Sequence, residues 1–442
     1  MTVIELGLVQ EDDGETPARR PLRRGELRRW LAAAVGVLCL LTVTGSAVPR
    51  PRGLPTLWST PFMDSDDYRM AGDVVYLLRT FGGATLAAHD ARTGAELWKT
   101  GDVPDASGLG PPRNGIILLP ADHESVQFDL DDGTTTYEDF NRETAAVDTS
   151  TGRQLWRVPG GLSVATDDRV VLTEHNATGG GLRALRAVRL SDGSPVWSRP
   201  AGDYQNWVIT DGPPYERIVM VTRDGVVEVL NLADGRLLTS KKIPWPVSQA
   251  AQEDTMAMLD GGNLFVTSSS PTKTTVVAYE VDTMRELWRL EHPGGGGVFD
   301  CGPILCLNSE SGTDGYDRAT GEPRWHIGGV ANGYPIFGDL LLTSNDNIGA
   351  RYSLTDRRTG KVVIDLGAVN PVWNAGDVGS PYFLKRSTEL PGYTALSYFQ
   401  QESGELLMRG KLPPVRDYGC QQDRDLLACT TDDQHLLVMD VG

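Results

Sequence analysis

Apolar and polar residues alternate in short runs through most of the chain, and these runs recur at a regular spacing. Each recurring segment has an alternating apolar run, a polar turn that usually ends in glycine, and a second short apolar run that often contains tryptophan. Alternation with a period of two is typical of a strand with one buried face. Eight copies can be aligned between Leu86 and Met408, with turns 37 to 58 residues apart. The pattern predicts an all-β chain built from repeated hairpins.

The turn in each copy has a consistent chemistry. The residue before the glycine position is always Thr, Ser or Asp, whose side chain can hydrogen-bond to the turn backbone. Glycine can then adopt a positive φ at little steric cost. In the fifth copy Met284 replaces the glycine, and we expect that turn to be weaker. The acid and glycine positions of the clearest turns are Asp90 and Gly94, Asp148 and Gly152, Asp317 and Gly321, and Asp356 and Gly360.

Tryptophan occurs at one fixed place after many of these turns. A large flat side chain at a fixed place in an outer strand is expected to pack between neighbouring units, and stacking on a ligand is the alternative. The tryptophans at this place are Trp98, Trp156, Trp197, Trp288 and Trp325, together with Trp58 in the first folded segment. Thr239, Ile364 and Met408 occupy it in the other copies.

The length of the repeat predicts a β-propeller, since four-stranded blades typically recur every ~40–50 residues. The last copy, QHLLVMDVG, has no outer strand, whereas LPTLWSTP near the start has the outer-strand pattern and no inner partner. We expect these two segments to pair and close the ring, which would protect its edge strands. Eight complete units and one divided unit can be counted. We expect eight blades, with nine as the alternative.

The repeat resembles a known family. The pattern A-x-D-x-x-T-G-x-x-x-W, strongest at Asp90 to Trp98 and at Asp148 to Trp156, resembles the PQQ-type β-propeller repeat, which is found in quinoprotein dehydrogenases and in the outer-membrane assembly lipoprotein BamB. The resemblance covers nearly all of residues 55–442 and implies the fold. It implies little about function, because enzymes and scaffolds share the repeat.

A PQQ-dependent dehydrogenase of this family is expected to carry adjacent cysteines near the cofactor. The chain has no Cys-Cys dipeptide and no c-type haem motif. No catalytic, cofactor-binding or metal-binding residue is therefore predicted, and PQQ is disfavoured. The predicted function is a protein-binding scaffold or ligand-sensing module, and an exported PQQ-dependent enzyme or cofactor binder is the alternative.

The amino terminus predicts a membrane anchor. Residues 1–29 are polar and contain six arginines, whereas residues 30–48 carry no charge and approach the ~20 residues that span a bilayer. Arginines before the span predict a single-pass protein of the cell membrane with a cytoplasmic amino terminus. A linker at 49–55 and the propeller at 56–442 would then lie outside the cytoplasm. A cleaved signal peptide is the alternative, since Gly45-Ser46-Ala47 could be a cleavage site.

Four of the five cysteines form two local pairs in the exported part, Cys301 with Cys306 and Cys420 with Cys429. An even number of cysteines outside the cytoplasm predicts disulfides. A zinc site is the alternative, although no CxxC spacing supports it. Cys39 lies in the predicted anchor and is expected to stay free.

The net charge and the remaining motifs limit the classes of partner that the chain is expected to bind. A net charge of −18 disfavours nucleic acid, so we expect cell-envelope proteins or an extracellular ligand. The insertion ADHESVQFDLDDGTTTYEDFN predicts an acidic surface loop, in which Asp129 to Asp132 could bind Ca²⁺ weakly. The six histidines have no metal-motif spacing and are expected at solvated loop or turn positions.

Overall fold

The computed structural model describes residues 53–101, 103–129, 135–176, 182–202, 204–209, 216–222, 224–245, 254–260, 262–329, 332–345, 351–374, 379–387 and 392–442. Every regular element in these ranges is a β-strand. No helix among them could cross a membrane. The predicted leader at 1–29 and anchor at 30–48 lie outside the described residues. Residues 52–442 form one compact unit.

The strands follow one another in short antiparallel groups. The first described strand is β1 (Thr56–Pro61). The first group that follows contains β2 (Asp67–Ala71), β3 (Val74–Arg79), β4 (Thr85–Asp90) and β5 (Glu96–Thr100), and the second contains β6 (Ile116–Asp129), β7 (Thr135–Asp148) and β8 (Gln154–Pro159). The third group contains β9 (Gly161–Ala165), β10 (Arg169–His175), β11 (Leu182–Arg189) and β12 (Pro195–Pro200), and the fourth contains β13 (Tyr204–Ile209), β14 (Arg217–Thr222), β15 (Val226–Asn231) and β16 (Leu237–Lys242).

The same arrangement continues to the end of the chain. The fifth group contains β17 (Asp254–Asp260), β18 (Asn263–Ser270), β19 (Lys273–Glu280) and β20 (Arg285–Pro293), and the sixth contains β21 (Gly296–Cys301), β22 (Ile304–Ser309), β23 (Gly312–Asp317) and β24 (Pro323–Gly328). The seventh group contains β25 (Asn332–Pro335), β26 (Leu340–Ser344), β27 (Arg351–Asp356) and β28 (Val362–Ala368), and the eighth contains β29 (Asn370–Asn374), β30 (Gly379–Arg386), β31 (Thr394–Gln400) and β32 (Glu405–Leu412). The last group contains β33 (Val415–Asp423), β34 (Leu426–Thr431) and β35 (His435–Asp440).

Strand pairing gives six sheets of four strands, one of three strands and one of eight. The eight-stranded sheet contains two groups, β29 to β32 and β33 to β35 with β1, which join where Trp373 and Asn374 pair in parallel with β33. The first strand β1 pairs antiparallel with the last strand β35, and Trp58 lies opposite Val438. The expected pairing of the two terminal segments is confirmed. These sheets form an all-β propeller.

The hydrophobic core lies between the sheets, because alternate residues of one strand face opposite neighbours. In β3, Leu77 packs with Val438 of the last group, whereas Leu78 packs with Ile117 of the next group. All four side chains are fully buried or nearly so, and burying an aliphatic side chain of this size contributes about 1.5–3 kcal/mol. Each sheet therefore packs against a neighbouring sheet on both of its faces, which explains why the middle strands of a group are apolar at nearly every position.

Candidate functional site

The turn between the third and fourth strands of each group is held by its acidic residue. In the second group the Asp148 carboxylate accepts hydrogen bonds from the hydroxyls and backbone N–H groups of Ser150 and Thr151, at 2.6–2.9 Å. Hydrogen bonds from the two hydroxyls lower the pKa of Asp148 to about 2. Gly152 closes the turn with a φ of 72°.

The other predicted turns use the same geometry with small differences. Asp90 accepts hydrogen bonds from the hydroxyl and backbone N–H of Thr93, which lower its pKa. The pKa of Asp317 is lowered chiefly by Arg324, and Asp356 accepts two hydrogen bonds from Thr359. Each acid therefore stabilises its own turn.

The six predicted tryptophans each cover the turn glycine of the following group. The indole N–H of Trp98 donates a hydrogen bond of 2.8 Å to Thr149 O, and a Cβ on Gly152 would overlap the Trp98 ring. The other five indoles make the same two contacts. They are Trp58 on Ala91 O and Gly94, Trp156 on Leu190 O and Gly193, Trp197 on Leu232 O and Gly235, Trp288 on Arg318 O and Gly321, and Trp325 on Arg357 O and Gly360.

Both predicted disulfides are present. Cys301 on β21 is bonded to Cys306 on β22, and Cys420 on β33 is bonded to Cys429 on β34. Each bond joins the first two strands of its group, and Cys420 lies directly opposite Cys429 in the strand register. All four sulfur-bearing residues are buried.

The histidines do not lie where the sequence suggested. All six are within strands, and His292 is buried rather than solvated. His292 Nε2 lies 3.0 Å from Asp314 Oδ2, and His326 Nδ1 lies 2.9 Å from Asp314 Oδ1. The expectation of loop or turn positions was therefore wrong for all six histidines. The expectation of solvation was wrong for His292, because tertiary packing brings β20 of one group against β23 of the next.

No metal site is found in the residues that the structure describes: none of their His, Cys, Asp and Glu side chains form a group of three or more that could hold an ion. The possible calcium loop from Asp129 to Asp132 falls largely on residues 130–134, which lie outside the described part.

The acidic insertion is an extension of strands rather than an irregular loop. Strands β6 and β7 pair continuously from Ile116 and Asp148 to Asp129 and Thr135. The outer strand β8 covers β7 only from Glu143 to Val147. On the other side, backbone contacts from the preceding segment reach β6 no further than Asp122. Residues 123–129 and 135–141 therefore form a two-stranded ribbon, and no other described strand pairs with either of its edges.

Contacts among four side chains fix the base of this ribbon. The Phe140 ring is buried and stacks on His175 of the next group, with ring centroids 4.7 Å apart. The Arg142 guanidinium lies 4.9 Å from the centre of the Phe140 ring, and it also hydrogen-bonds to Glu124, which lowers the pKa of that carboxyl. These contacts fix the base of the ribbon against the next group of strands.

The ribbon also has exposed side chains, at 123, 125, 127, 135, 137 and 139, and its sequence is acidic. Tyr137 is 65% exposed, and His123 lies 3.8 Å from Asp139. The segment 123–141 contains six acidic residues and no Lys or Arg. Sequence reasoning missed the strands here, although the 58-residue spacing of this repeat was the available signal.

Comparison with known proteins agrees with the repeat. Residues 47–201 and 82–363 match the family model described as outer membrane protein assembly factor BamB. No curated protein matches the chain. Among solved structures, BamB from Moraxella catarrhalis is 12% identical, with 88% of this chain and 97% of that chain covered and a TM-score of 0.43.

Two other solved structures illustrate how widely the fold is shared. A eukaryotic initiation factor is 11% identical over 84% of this chain and 92% of that chain, with a TM-score of 0.51. A quinohemoprotein alcohol dehydrogenase from Pseudomonas putida HK5 is 14% identical over 63% of this chain and 61% of that chain, with a TM-score of 0.40. At such identities the likeness concerns the fold alone. The family match spans more than half of the chain, and the chain therefore belongs to the BamB-like family of PQQ-type β-propeller repeat proteins.

Proposed function

We propose that this chain is a membrane-tethered β-propeller outside the cytoplasm that acts as a scaffold for proteins of the cell envelope. Membership of the BamB-like family supports a protein-binding role at a coarse level. The uncharged segment 30–48 after six arginines supports the tether and its orientation. In this proposal the chain needs no catalytic residue, no PQQ and no metal ion.

The observation that carries the proposal is the ribbon at 123–129 and 135–141, whose edges along 123–129 and 136–141 pair with no other strand that the structure describes. Strand edges without partners present rows of N–H and C=O groups that can pair with another chain. Addition of an extended segment to such an edge is a recurrent mode of protein recognition. The two strands of the ribbon pair as far as Asp129 and Thr135, whereas β8 covers β7 only from Glu143 to Val147.

The charge of the ribbon indicates the chemistry of its partner. Six acidic residues without a Lys or Arg in segment 123–141 would repel an acidic strand and attract a basic one. We therefore infer that the partner contributes an extended segment rich in Lys or Arg. Because Phe140 and Arg142 fix the base of the ribbon, little ordering is needed on binding.

We further infer that the scaffold has nine blades, the alternative to the eight expected from the sequence. The eight-stranded sheet contains two groups of four strands, so the described strands make nine groups in eight sheets. Nine hydrophobic clusters can be traced in the described residues, and each joins successive groups. The cluster of Leu77 and Val438 joins the last group to the first.

A direct test uses a defined basic strand. The probe is a labelled peptide of alternating Lys and Val, and its control has the same length with a central proline, which cannot continue a strand ladder. Binding to the detergent-solubilised full chain is measured by fluorescence anisotropy. We expect the uninterrupted peptide to bind more tightly, and its affinity to fall with added salt.

Two variants locate the binding. Replacing residues 125–139 with Asn-Gly, a two-residue hairpin turn, between the paired residues Glu124 and Phe140 should abolish binding while the melting temperature is retained, because the buried Phe140 stays in place. Asp139→Lys should weaken binding, whereas Glu405→Lys makes the same charge change at an exposed position on β32 and should have little effect. Equal binding by the shortened chain would overturn the proposal. A pull-down from solubilised membranes with the same variants would then identify the natural partner.

A further inference from the structure

A small pocket lies among the inner strands of the last three groups, far along the chain from the ribbon. Its volume is about 260 Å³. Its described walls are mainly aromatic, and none of the described side chains that line it carries a charge. The lining residues are Tyr334, Leu342, Ser344, Tyr352, Pro371, Trp373 and Tyr418.

Tyr418 has an unusual backbone for a bulky residue. Its φ is 58°, in the left-handed region that non-glycine residues of this size rarely adopt. The side chain is nevertheless 54% exposed, so burial of the ring does not account for the conformation. Such outliers persist only where the surroundings hold them, and they are concentrated at functional sites.

The surroundings hold Tyr418 from several directions. Gly419 O accepts hydrogen bonds from the hydroxyls of Tyr68, at 3.1 Å, and Thr430, at 3.3 Å. Asn370 donates a hydrogen bond of 2.6 Å to Asp417. The disulfide between Cys420 and Cys429 then anchors the strand two residues beyond Tyr418. The backbone on both sides is therefore positioned before any ligand arrives.

The polar groups of the pocket are hydroxyls. The hydroxyls of Tyr352 and Tyr418 lie 2.8 Å apart and share a hydrogen bond. Burial and this hydrogen bond raise the pKa of Tyr352, so its hydroxyl keeps its proton at neutral pH. The buried Ser344 also lines the pocket. At the described lining residues a ligand meets aromatic faces and neutral hydroxyl donors and acceptors.

We propose that this pocket binds a neutral sugar ring, as a monosaccharide unit of a glycan. The apolar C–H face of such a ring can lie on Trp373 or Tyr418, while its hydroxyls replace water at Tyr352 and Tyr418. A charged ligand would lose hydration without gaining an ion pair from any of the described lining residues. The volume suits one small ring, since pockets for larger ligands are ≈ 300–1,000 Å³.

This inference goes beyond the proposed scaffold role and stands on different residues. The ribbon and Tyr137 belong to the second group of strands, whereas the pocket belongs to the last three groups. Loss of sugar binding would leave the binding of the basic peptide untouched, and the reverse also holds. The two proposals can therefore fail separately.

The test is titration of the detergent-solubilised full chain with neutral methyl glycosides of glucose, mannose and galactose and with N-acetylglucosamine, followed by saturation-transfer NMR. We expect saturable binding of at least one of them with a Kd of roughly 1 mM, typical of so small a ligand. Glucuronate and a polyproline peptide serve as comparison probes and should bind more weakly.

Variants separate the pocket from the rest of the surface. Tyr418→Phe should weaken binding about 2–10-fold through loss of one hydrogen bond, and Tyr418→Ala should abolish it. Tyr137→Ala removes an exposed tyrosine elsewhere and should change nothing. Unfolding is monitored for each variant, and the exposed Tyr418 side chain makes loss of the fold an unexpected outcome.

The two disulfides supply one test variant and its matched control. Cys420→Ala/Cys429→Ala should weaken sugar binding, because the strand that holds Tyr418 is no longer anchored, whereas Cys301→Ala/Cys306→Ala should leave it unchanged. The proposal is overturned if no neutral glycoside saturates the protein, if Tyr418→Ala binds as well as the parent, or if the polyproline peptide occupies the pocket and the sugars do not.

Discussion

Thr239 and Met284 together take the place of the tryptophan and glycine that meet at six other junctions between strand groups. The Thr239 hydroxyl donates a hydrogen bond of 2.9 Å to Asp282 O, one residue nearer to the glycine position than the carbonyl that an indole N–H contacts at the other junctions. Met284 keeps the positive φ of the turn, at 51°, and is only 3% exposed. A smaller residue on one side therefore accompanies a larger one on the other, and a hydrogen bond to the turn backbone remains, although its acceptor is the next carbonyl along the chain.

The first prediction concerns this exchange of size. Thr239→Trp should lower the free energy of unfolding by about 1–3 kcal/mol, because the indole would overlap Met284. Met284→Gly should lower it by about 2 kcal/mol or more, because the buried thioether is lost. The double variant should recover much of both losses. Denaturant unfolding measures the coupling, and strictly additive effects would contradict the exchange.

A second prediction separates backbone strain from crowding at the turns. Gly152 and Gly404 have nearly the same φ, 72° and 70°. A Cβ at Gly152 would overlap Trp98, whereas a Cβ at Gly404 meets nothing within 4 Å. Both alanine variants should carry the cost of a positive φ, and Gly152→Ala should lose about 1–3 kcal/mol more through overpacking. Equal losses in thermal or denaturant unfolding would show that Trp98 does not pack as described.

A third prediction follows from Asp148 and the pH. Its folded-state pKa of about 2 lies below the ordinary value of 3.8, so folding favours the ionised carboxylate. The stability that this group contributes is present above pH ~4 and is lost as the pH falls towards 2. Asp148→Ala should lower the Tm at neutral pH by a few degrees, and the difference from the parent should disappear near pH 2. Asp167→Ala, at an exposed acid without such hydrogen bonds, is the control. A difference that persists at pH 2 would assign the effect to something other than the charge.

A fourth prediction tests the closure of the ring. Trp58 donates its N–H to Ala91 O at 2.8 Å and covers Gly94, and its strand pairs with the last strand of the chain. Trp58→Ala should lower the free energy of unfolding by about 2–4 kcal/mol, somewhat less than for a fully buried tryptophan. Leu97→Ala, at an exposed position, should change it by less than about 0.5 kcal/mol. An unchanged unfolding curve for Trp58→Ala would place the closing contacts elsewhere.

Sequence reasoning was most successful where the signal is local. The turn from Asp148 to Gly152, the tryptophans that follow such turns and the cysteine pairs all lie within one hairpin or one repeat. It also predicted the pairing of β1 with β35, because each terminal segment lacked the strand that the other supplies. It missed the ribbon, because alternation in the acidic insertion was hidden by its charge.

The sequence by itself determined the repeated hairpins, their turns and the two disulfides, since period-two alternation, glycine at positive φ and short cysteine spacing act over neighbouring residues. Only the tertiary structure decided which residues that are distant in the chain come into contact. Tyr352 and Tyr418 are 66 residues apart in the chain and share a hydrogen bond, and His292 meets Asp314 across two strand groups. Such contacts depend on how successive sheets are packed and turned around the ring. No local pattern records that geometry, so the aromatic pocket became visible only when the sheets were brought together.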